Sequence, residues 1–271
     1  MQAQEDRRTN AIITGGSAGI GLALAREFAA HGHDLVLVAR HADRLRTAAD
    51  EIEIRFRRRC LTVSADLTRP GASDLVLEAL QRAAMRGDIL VNCAAMGLSG
   101  AIASGDRPAA RALLTANVQA ATEMIHALLP GMVERGHGGI LNVASIAGEM
   151  PLPYLAVYSA SKSYLIALTQ ALAAEVRGSG VKICAVVPGP VHSAFLESGV
   201  GADASVVRFL PALQPQTVAR VAYLGFTAGE TIVTPGAANA LMRFGIRVLP
   251  HALLARLMTP SARSLFARRR G

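Results

Sequence analysis

Tyr158 and Lys162 are one helical turn apart in the segment YSASK. Side chains four residues apart on a helix project from the same face, so this spacing brings a phenol and an ammonium together. An ammonium beside a phenol favours the phenolate, and we therefore expect the pKa of Tyr158 to lie below its usual value of about 10. Such a phenol can donate a proton when a carbonyl is reduced and accept one when an alcohol is oxidised.

Ser145 follows an apolar run that ends in the segment NVAS. Residues at the carboxyl ends of parallel strands face the ligand crevice, where this hydroxyl can hydrogen-bond a reacting oxygen. It would orient that oxygen near Tyr158 and stabilise its developing charge. Taken singly, Ser145 and Tyr158 are ordinary polar residues, and only their joint placement indicates catalysis.

A glycine-rich segment, TGGSAGIG, joins an apolar run to a helical one, as in dinucleotide-binding turns. Gly15 allows a tight turn, Gly19 leaves room beside the phosphates, and Gly21 lets the helix pack against the sheet. The helix N-terminus favours the negative charge of a pyrophosphate. The predicted cofactor contacts in this turn are Gly15, Ser17, Ala18, Gly19 and Ile20.

Arg40 ends the second apolar run, where an acidic residue would accept the ribose hydroxyls of NAD. An arginine pairs instead with the 2′-phosphate of NADP, which an acid would repel. Arg40 therefore favours NADP(H) over NAD(H). The alternative is a surface arginine that only ends a strand.

The elements that must position these residues alternate along the chain from residue 10 to about 234, as βα units around a parallel sheet do. Strands are predicted at 11–14, 34–39, 61–64, 89–92, 139–144, 181–187 and 231–233. Helices are predicted at 20–30, 42–58, 73–86, 107–134, 156–177 and 217–228. We therefore expect an α/β Rossmann-type doubly wound fold, with a seven-stranded parallel sheet and helices on both faces, as a single domain over 1–235.

Composition narrows the classes of function. Lys plus Arg exceed Asp plus Glu by 28 to 20, an excess that suits anionic cofactors, acidic lipid or nucleic acid. No zinc spacing, basic-region helix or RNA-binding signature accompanies it, and aromatics make up 4%, so we expect no nucleic-acid partner. The three cysteines lack metal-ligand spacing, so no metal is expected. No signal peptide or membrane-spanning run is apparent, which predicts a cytoplasmic protein.

The segments TGGSAGIG, NVAS and YSASK, in this order, resemble those of the short-chain dehydrogenase/reductase family over nearly the whole chain. The resemblance implies an oxidoreductase that moves a hydride between NADP(H) and a small-molecule carbonyl or alcohol. It implies Ser145, Tyr158 and Lys162 as the catalytic set, with Lys162 also holding the nicotinamide ribose and Asn117 anchoring a water to that lysine. The alternative is a non-catalytic NADP(H)-binding sensor or scaffold, including one at a membrane surface.

Further cofactor contacts follow from the same resemblance. Asp66 resembles the acid that contacts the adenine ring, with Leu67 beside it. The family motif NNAG appears here as NCAA, so Asn92 and Ala94 match, while Cys93 and Ala95 depart and put the local turn in question. The segment PGPVHS resembles the one that covers the nicotinamide, and its implied contacts are Pro188, Gly189, Val191 and Ser193.

The segment from about 193 to 216 occupies the place of a substrate lid in this family, and its glycines permit opening and closing. Its apolar residues suggest an apolar pocket for an aliphatic, acyl or aromatic substrate. A structural helix packed on the core explains the same residues equally well. These residues are Phe195, Leu196, Val206, Val207, Phe209 and Leu210.

A basic, apolar extension covers 236–271 and resembles that of a bacterial subgroup whose substrates are poorly defined. Such an extension can close the substrate pocket, join subunits or lie on anionic lipid. Gly245 and Pro250 interrupt any long interfacial helix, which favours packing within the protein or its oligomer over a membrane. The family resemblance implies a homodimer or homotetramer formed through the helices at 107–134 and 156–177.

Overall fold

The computed structural model of the protein describes residues 9–192, 195 and 212–266. Its strands form one parallel seven-stranded sheet in the order β3-β2-β1-β4-β5-β6-β7. They are β1 (Asn10–Thr14), β2 (Asp34–Ala39), β3 (Cys60–Ser64), β4 (Ile89–Asn92), β5 (Gly138–Val143), β6 (Val181–Val186) and β7 (Ile232–Val233). This topology confirms the predicted Rossmann-type fold.

The helices connect these strands and extend beyond the last one. They are α1 (Gly19–Ala30), α2 (Ala42–Phe56), α3 (Ala72–Arg82), α4 (Arg107–Leu114), α5 (Ala120–Arg135), α6 (Ala156–Glu175), α7 (Pro215–Ala228), α8 (Ala237–Val248) and α9 (His251–Phe266). The single helix predicted at 107–134 is divided, because a π-helical turn over Thr115–Gln119 separates α4 from α5.

Helices cover both faces of the sheet because successive strand residues point to opposite sides. Ile13 and Leu37 pack with side chains of α1, α2 and α7. Their neighbours Ile12 and Val36 pack with side chains of α3, α5 and α6. All four are fully buried, so the central strands read as continuous apolar runs rather than as alternating ones.

The sheet also fixes where a ligand can bind. β1 pairs with β2 on one side and with β4 on the other, so the order of the strands reverses at β1. In open parallel sheets a crevice forms at such a point, beyond the carboxyl ends of the strands. The loops after β1, β2, β3, β4 and β5 therefore meet at one edge.

The extension beyond β7 is packed on the rest of the chain. Ile246 of α8 and Leu254 of α9 are buried against Ile166 and Val187. Arg243 Nε donates a hydrogen bond of 2.6 Å to Glu149 Oε1. Within the described residues no helix has the length and apolar character needed to cross a bilayer.

Candidate active site

A cavity of about 520 Å³ lies along this edge of the sheet. It extends from the glycine-rich turn to Phe195. The predicted site residues that line it are Gly15, Ser17, Ala18, Gly19, Ile20, Arg40, Asp66, Leu67, Ala94, Ser145, Tyr158, Lys162, Pro188, Gly189 and Val191. Asn92 and Asn117 do not belong to its lining. The predicted contact Ser193 lies outside the described residues, as does most of the predicted lid.

The glycine-rich turn packs closely against the loop after β4 and against the first turn of α1. Gly15 has φ +70°, and a Cβ there would lie 3.1 Å from the backbone N and Cα of Ala94. A Cβ on Gly21 would overlap the carbonyl oxygen of Gly15. Gly21 thus lets α1 approach the turn, rather than the sheet as the sequence suggested. No side chain caps α1, whose first-turn N–H groups are therefore available to an anion.

Basic side chains line the cavity beyond β2. Arg40, His41 and Arg44 all contribute to the lining. The sequence analysis singled out Arg40 but missed the other two. The helix predicted from residue 42 could have indicated Arg44, because α2 begins at Ala42 and places Arg44 in its first turn, close to the end of β2.

Asp66 faces the same end of the cavity. Burial tends to raise the pKa of its carboxyl, but two hydrogen bonds from Thr68 and the charges of Arg40 and Arg69 hold that pKa below its usual value. The carboxylate is therefore ionised at neutral pH and able to accept a hydrogen bond from a ligand.

The loop after β4 is joined to the first strand by one hydroxyl. Thr14 Oγ1 accepts the backbone N–H groups of Cys93 and Ala94, each at 3.0 Å, and donates to the carbonyl of Val91 at 3.3 Å. These bonds use the main chain after β4, so Cys93 at this position is compatible with them. The NCAA segment is thus held to β1 by main-chain hydrogen bonds.

Asn92 lies beneath this loop rather than in the cavity. Its Nδ2 donates to Asn142 Oδ1 at 2.9 Å, and Asn142 Nδ2 donates to Thr169 Oγ1 at 2.9 Å. These buried amides join β4, β5 and α6. The side chain of Asn92 is therefore bonded within the protein and does not line the cavity, and its contact with a cofactor stays a prediction.

Asn117 lies in the π-helical turn between α4 and α5, and its side chain hydrogen-bonds residues of two elements that line the site. Its Oδ1 accepts the N–H of Met96 at 2.7 Å. Its Nδ2 donates to the carbonyl of Met96 at 3.0 Å and to Ser161 Oγ at 3.1 Å. Ser161 in turn donates to the carbonyl of Tyr158 at 2.7 Å. Asn117 thus fastens the loop after β4 to α6.

Tyr158 and Lys162 lie on the first turns of α6, and both are buried, at 7% and 3% exposure. Burial raises the pKa of Tyr158 to about 12, although a hydrogen bond with the Ser145 hydroxyl opposes this. Burial also lowers the pKa of Lys162 to about 8. The expectation of a pKa below the usual value is therefore wrong for Tyr158 in this structure, because desolvation outweighs the hydrogen bond with Ser145.

Ser145 reaches Tyr158 because the segment after β5 docks on α6. Its Oγ accepts the N–H of Ala147 at 3.2 Å, which begins a short 3₁₀ turn over Ile146–Glu149. Ser163 Oγ donates to the carbonyl of Gly148 at 2.5 Å and attaches that turn to the helix. The two hydroxyls thus come from elements that are bonded to each other.

The wall around Tyr158 is apolar. The Phe195 ring centroid lies 5.9 Å from that of Tyr158. Buried partners of the Tyr158 ring come from the 3₁₀ turn and the residues before α6, and Met258 of α9 packs on the same cluster. The cluster also includes Leu113, Ala147, Leu152, Leu155, Met96, Leu98, Met150 and Val157.

Comparison with known proteins gives consistent results. A family model described as short chain dehydrogenase matches residues 9–202. Very-long-chain 3-oxoacyl-CoA reductase of Bos taurus is 34% identical over 182 residues, which span 66% of this chain and 58% of that protein. The chain thus matches less than two thirds of that relative.

Solved structures match over more of their length. A short-chain dehydrogenase from Sphingobium yanoikuyae in complex with NADPH has a TM-score of 0.80 and 32% identity, covering 91% of this chain and 94% of that one. L-sorbose reductase from Gluconobacter frateurii, complexed with NADPH and L-sorbose, has a TM-score of 0.74 and 29% identity, covering 84% and 96%.

Proposed function

The chain belongs to the short-chain dehydrogenase family, and from this we propose that it transfers a hydride between NADP(H) and a carbonyl or alcohol group on an apolar molecule. The observation that carries the proposal is the pair of hydroxyls, Ser145 and Tyr158, at the apolar end of a cavity that begins at a glycine-rich turn. The other end of the cavity is basic, as an anionic cofactor requires.

The fit to a dinucleotide rests on three features of the cavity. The glycine-rich turn lines the cavity from Gly15 to Gly19, and α1 has no side-chain cap that would compete with a pyrophosphate. Arg40 and Arg44 offer guanidinium groups to a 2′-phosphate. The two solved structures described above contain NADPH, which supports the same choice of cofactor. When bound, the nicotinamide supplies or accepts the hydride.

The chain's own residues handle the oxygen and its proton. Ser145 and Tyr158 hold the carbonyl oxygen between their hydroxyls and stabilise the charge that develops on it. With a pKa of about 12, Tyr158 carries its proton at neutral pH, which is the form that reduction needs. Tyr158 donates this proton to the oxygen as the hydride arrives at carbon.

Lys162 is suited to restore the proton. Its Nζ donates a 2.8 Å hydrogen bond to the carbonyl of Val143, at the end of β5, which holds the amine on the cavity side of α6. Its pKa of about 8 allows it to release and regain a proton near neutral pH. Asn117 positions the loop and the helix around this amine.

The substrate class follows from the wall around Tyr158. Phe195, Leu155 and Met96 present apolar side chains to the cavity near the two hydroxyls. We infer an aliphatic, acyl or aromatic group beside the reacting carbonyl, because a charged group there would lose its hydration without a partner. The bovine relative, named a reductase of very-long-chain 3-oxoacyl-CoA, acts on a carbonyl attached to such a chain.

The test is NADPH oxidation with a panel of apolar ketones, aldehydes and acyl carbonyls, and the reverse reaction with the alcohols. Tyr158→Phe should abolish turnover while NADPH binding persists. Tyr164→Phe is the matched control, since Tyr164 lies on the same helix but its hydroxyl bonds Thr122 at the surface. Equal loss in both variants would contradict the role of Tyr158. NADPH binding without turnover of any substrate would favour a nucleotide sensor.

A further inference from the structure

Helix α8 carries apolar side chains on two opposite sides, and α9 carries exposed apolar side chains beside the buried Leu254. Ile246 and Leu254 face inward and are buried in the core. On α8, Leu241, Phe244 and Val248 are 73%, 67% and 67% exposed. Their spacing of three and four residues places them on the side of α8 opposite Ile246. Leu253 and Leu257 of α9 are also exposed and four residues apart. We call these five exposed residues the outer apolar face.

This accumulation is not the ordinary scatter of apolar residues over a surface. Seven of the fourteen exposed large apolar side chains in the described part of the chain fall between Leu241 and Leu257. Single exposed apolar residues need no explanation, whereas a concentrated group marks a surface that contacts something apolar.

The same segment carries basic side chains and no acidic ones. From residue 231 to 271 the sequence contains seven arginines and neither Asp nor Glu. Arg243 is paired with Glu149 of the core. Arg247 and Arg256 are exposed and form no ion pair with any residue that the structure describes. The outer apolar face thus belongs to a segment with uncompensated positive charge.

We propose that the outer apolar face binds the surface of a membrane that contains anionic lipid. Its apolar side chains enter the boundary between headgroups and acyl chains, while Arg247 and Arg256 pair with lipid phosphates. Each basic residue near such a surface adds to the attraction. The breaks at Gly245 and Pro250 do not oppose this, because a short helix can lie in the plane of the interface.

A second copy of the chain is a poorer occupant. In a two-fold symmetric contact the same patch meets itself. Arg247 and Arg256 would then approach their own counterparts, with no carboxylate in the segment to pair with them. The sequence favoured packing of the extension within the protein over binding to a membrane, as if the segment could do only one of the two. The structure assigns the inner side of α8 to packing and leaves the outer side for lipid.

The proposed membrane side is linked to the site through α9. Met258 of that helix packs on the apolar cluster that contains Tyr158. Neighbouring parts of one segment would thus contact the apolar substrate and the lipid surface. The membrane proposal does not depend on catalysis, however, and its test needs no turnover.

The experiment is co-sedimentation of the full chain with vesicles of phosphatidylcholine alone or mixed with phosphatidylglycerol. We expect binding to the mixed vesicles that weakens as salt is added. The double variant Leu241→Gln/Phe244→Gln should bind at least about tenfold more weakly, since two apolar side chains no longer leave water. Ile54→Gln/Leu75→Gln is the matched control, because it changes two exposed apolar residues on α2 and α3.

The substituted side chains are exposed, so each variant should keep the melting temperature and NADPH affinity of the wild type, measured on the same samples. Equal vesicle binding by the double variant and its control would overturn the proposal. Absence of binding to the mixed vesicles would also overturn it, and a wild-type dimer that the double variant converts to a monomer, seen by light scattering, would then assign the face to a second copy of the chain. A loss of NADPH binding alone would affect the proposed function and leave this proposal standing.

Discussion

The ammonium of Lys162 lies 5.9 Å from the centroid of the Tyr158 ring and donates its hydrogen bond to the carbonyl of Val143. The amine is thus anchored to the end of β5, close to the phenol yet not directly bonded to it. Both groups are buried, and burial moves their pKa values toward the neutral forms, to about 12 for Tyr158 and about 8 for Lys162.

Lys162 should make the stability of the protein depend on pH in a defined direction. Its folded pKa of about 8 lies below the 10.5 that is usual for a lysine, so between these values the unfolded chain binds the additional proton. The free energy of unfolding of the wild type, relative to Lys162→Met, should therefore rise with pH through this window, by up to about 3 kcal/mol.

Urea unfolding at several pH values from neutral to alkaline measures this difference. Subtracting the two proteins removes the opposite trend expected from Tyr158 and Cys184, whose raised pKa values make folding less favourable at high pH. A difference that stays constant with pH would show that burial does not lower the pKa of Lys162.

Arg40→Asp should weaken NADPH more than NADH, by about ten- to a hundredfold in dissociation constant, since it removes charge-assisted bonds to the 2′-phosphate and adds a repelling carboxylate. Arg44→Gln should act in the same direction with a smaller effect. Fluorescence titration with both nucleotides measures this. Arg46→Asp is the control, because Arg46 is exposed on α2, the helix that carries Arg44, but does not line the cavity. Equal losses for NADPH and NADH would argue against a phosphate contact.

Gly15→Ala should abolish tight NADPH binding and lower stability. The new methyl group would meet the backbone of Ala94 at 3.1 Å in a left-handed conformation with φ +70°. Gly32→Ala is the control, since Gly32 has φ +91° with nothing within 4 Å of the added carbon. It should show only the conformational cost of about 1–2 kcal/mol, with unchanged nucleotide affinity. Thermal melting and nucleotide titration distinguish the two, and similar behaviour of both variants would refute the close approach to Ala94.

Asn117→Ala should lower the free energy of unfolding by about 2–4 kcal/mol, because it leaves the backbone N–H and carbonyl of Met96 without their partner and removes one of the two hydrogen bonds of the Ser161 hydroxyl. Gln119→Ala, an exposed change in the same π-helical turn, should cost less than about 0.5 kcal/mol. Urea unfolding compares them. If Asn117→Ala is as stable as the control, the amide does not hold the loop after β4 to α6.

Much of the fold was accessible from sequence because periodicity is a local property. The apolar runs at 34–39 and 89–92 coincide with β2 and β4 in full. The division at Thr115–Gln119 was not accessible, because it accompanies bonds between Asn117 and Met96, which is distant in sequence. The contribution of Arg44 was missed for a related reason, since the cavity is assembled from several loops.

The sequence by itself determined the succession of strands and helices, the glycine-rich turn, and the spacing that places Tyr158 and Lys162 on one helical face. Only the tertiary structure decided the direction of their pKa shifts, because desolvation depends on everything that packs around a group. It also decided that Asn92 faces Asn142 and that Leu241 and Phe244 face outward. An amphipathic pattern shows that a helix has two sides, whereas the side that is covered depends on the elements that pack against it.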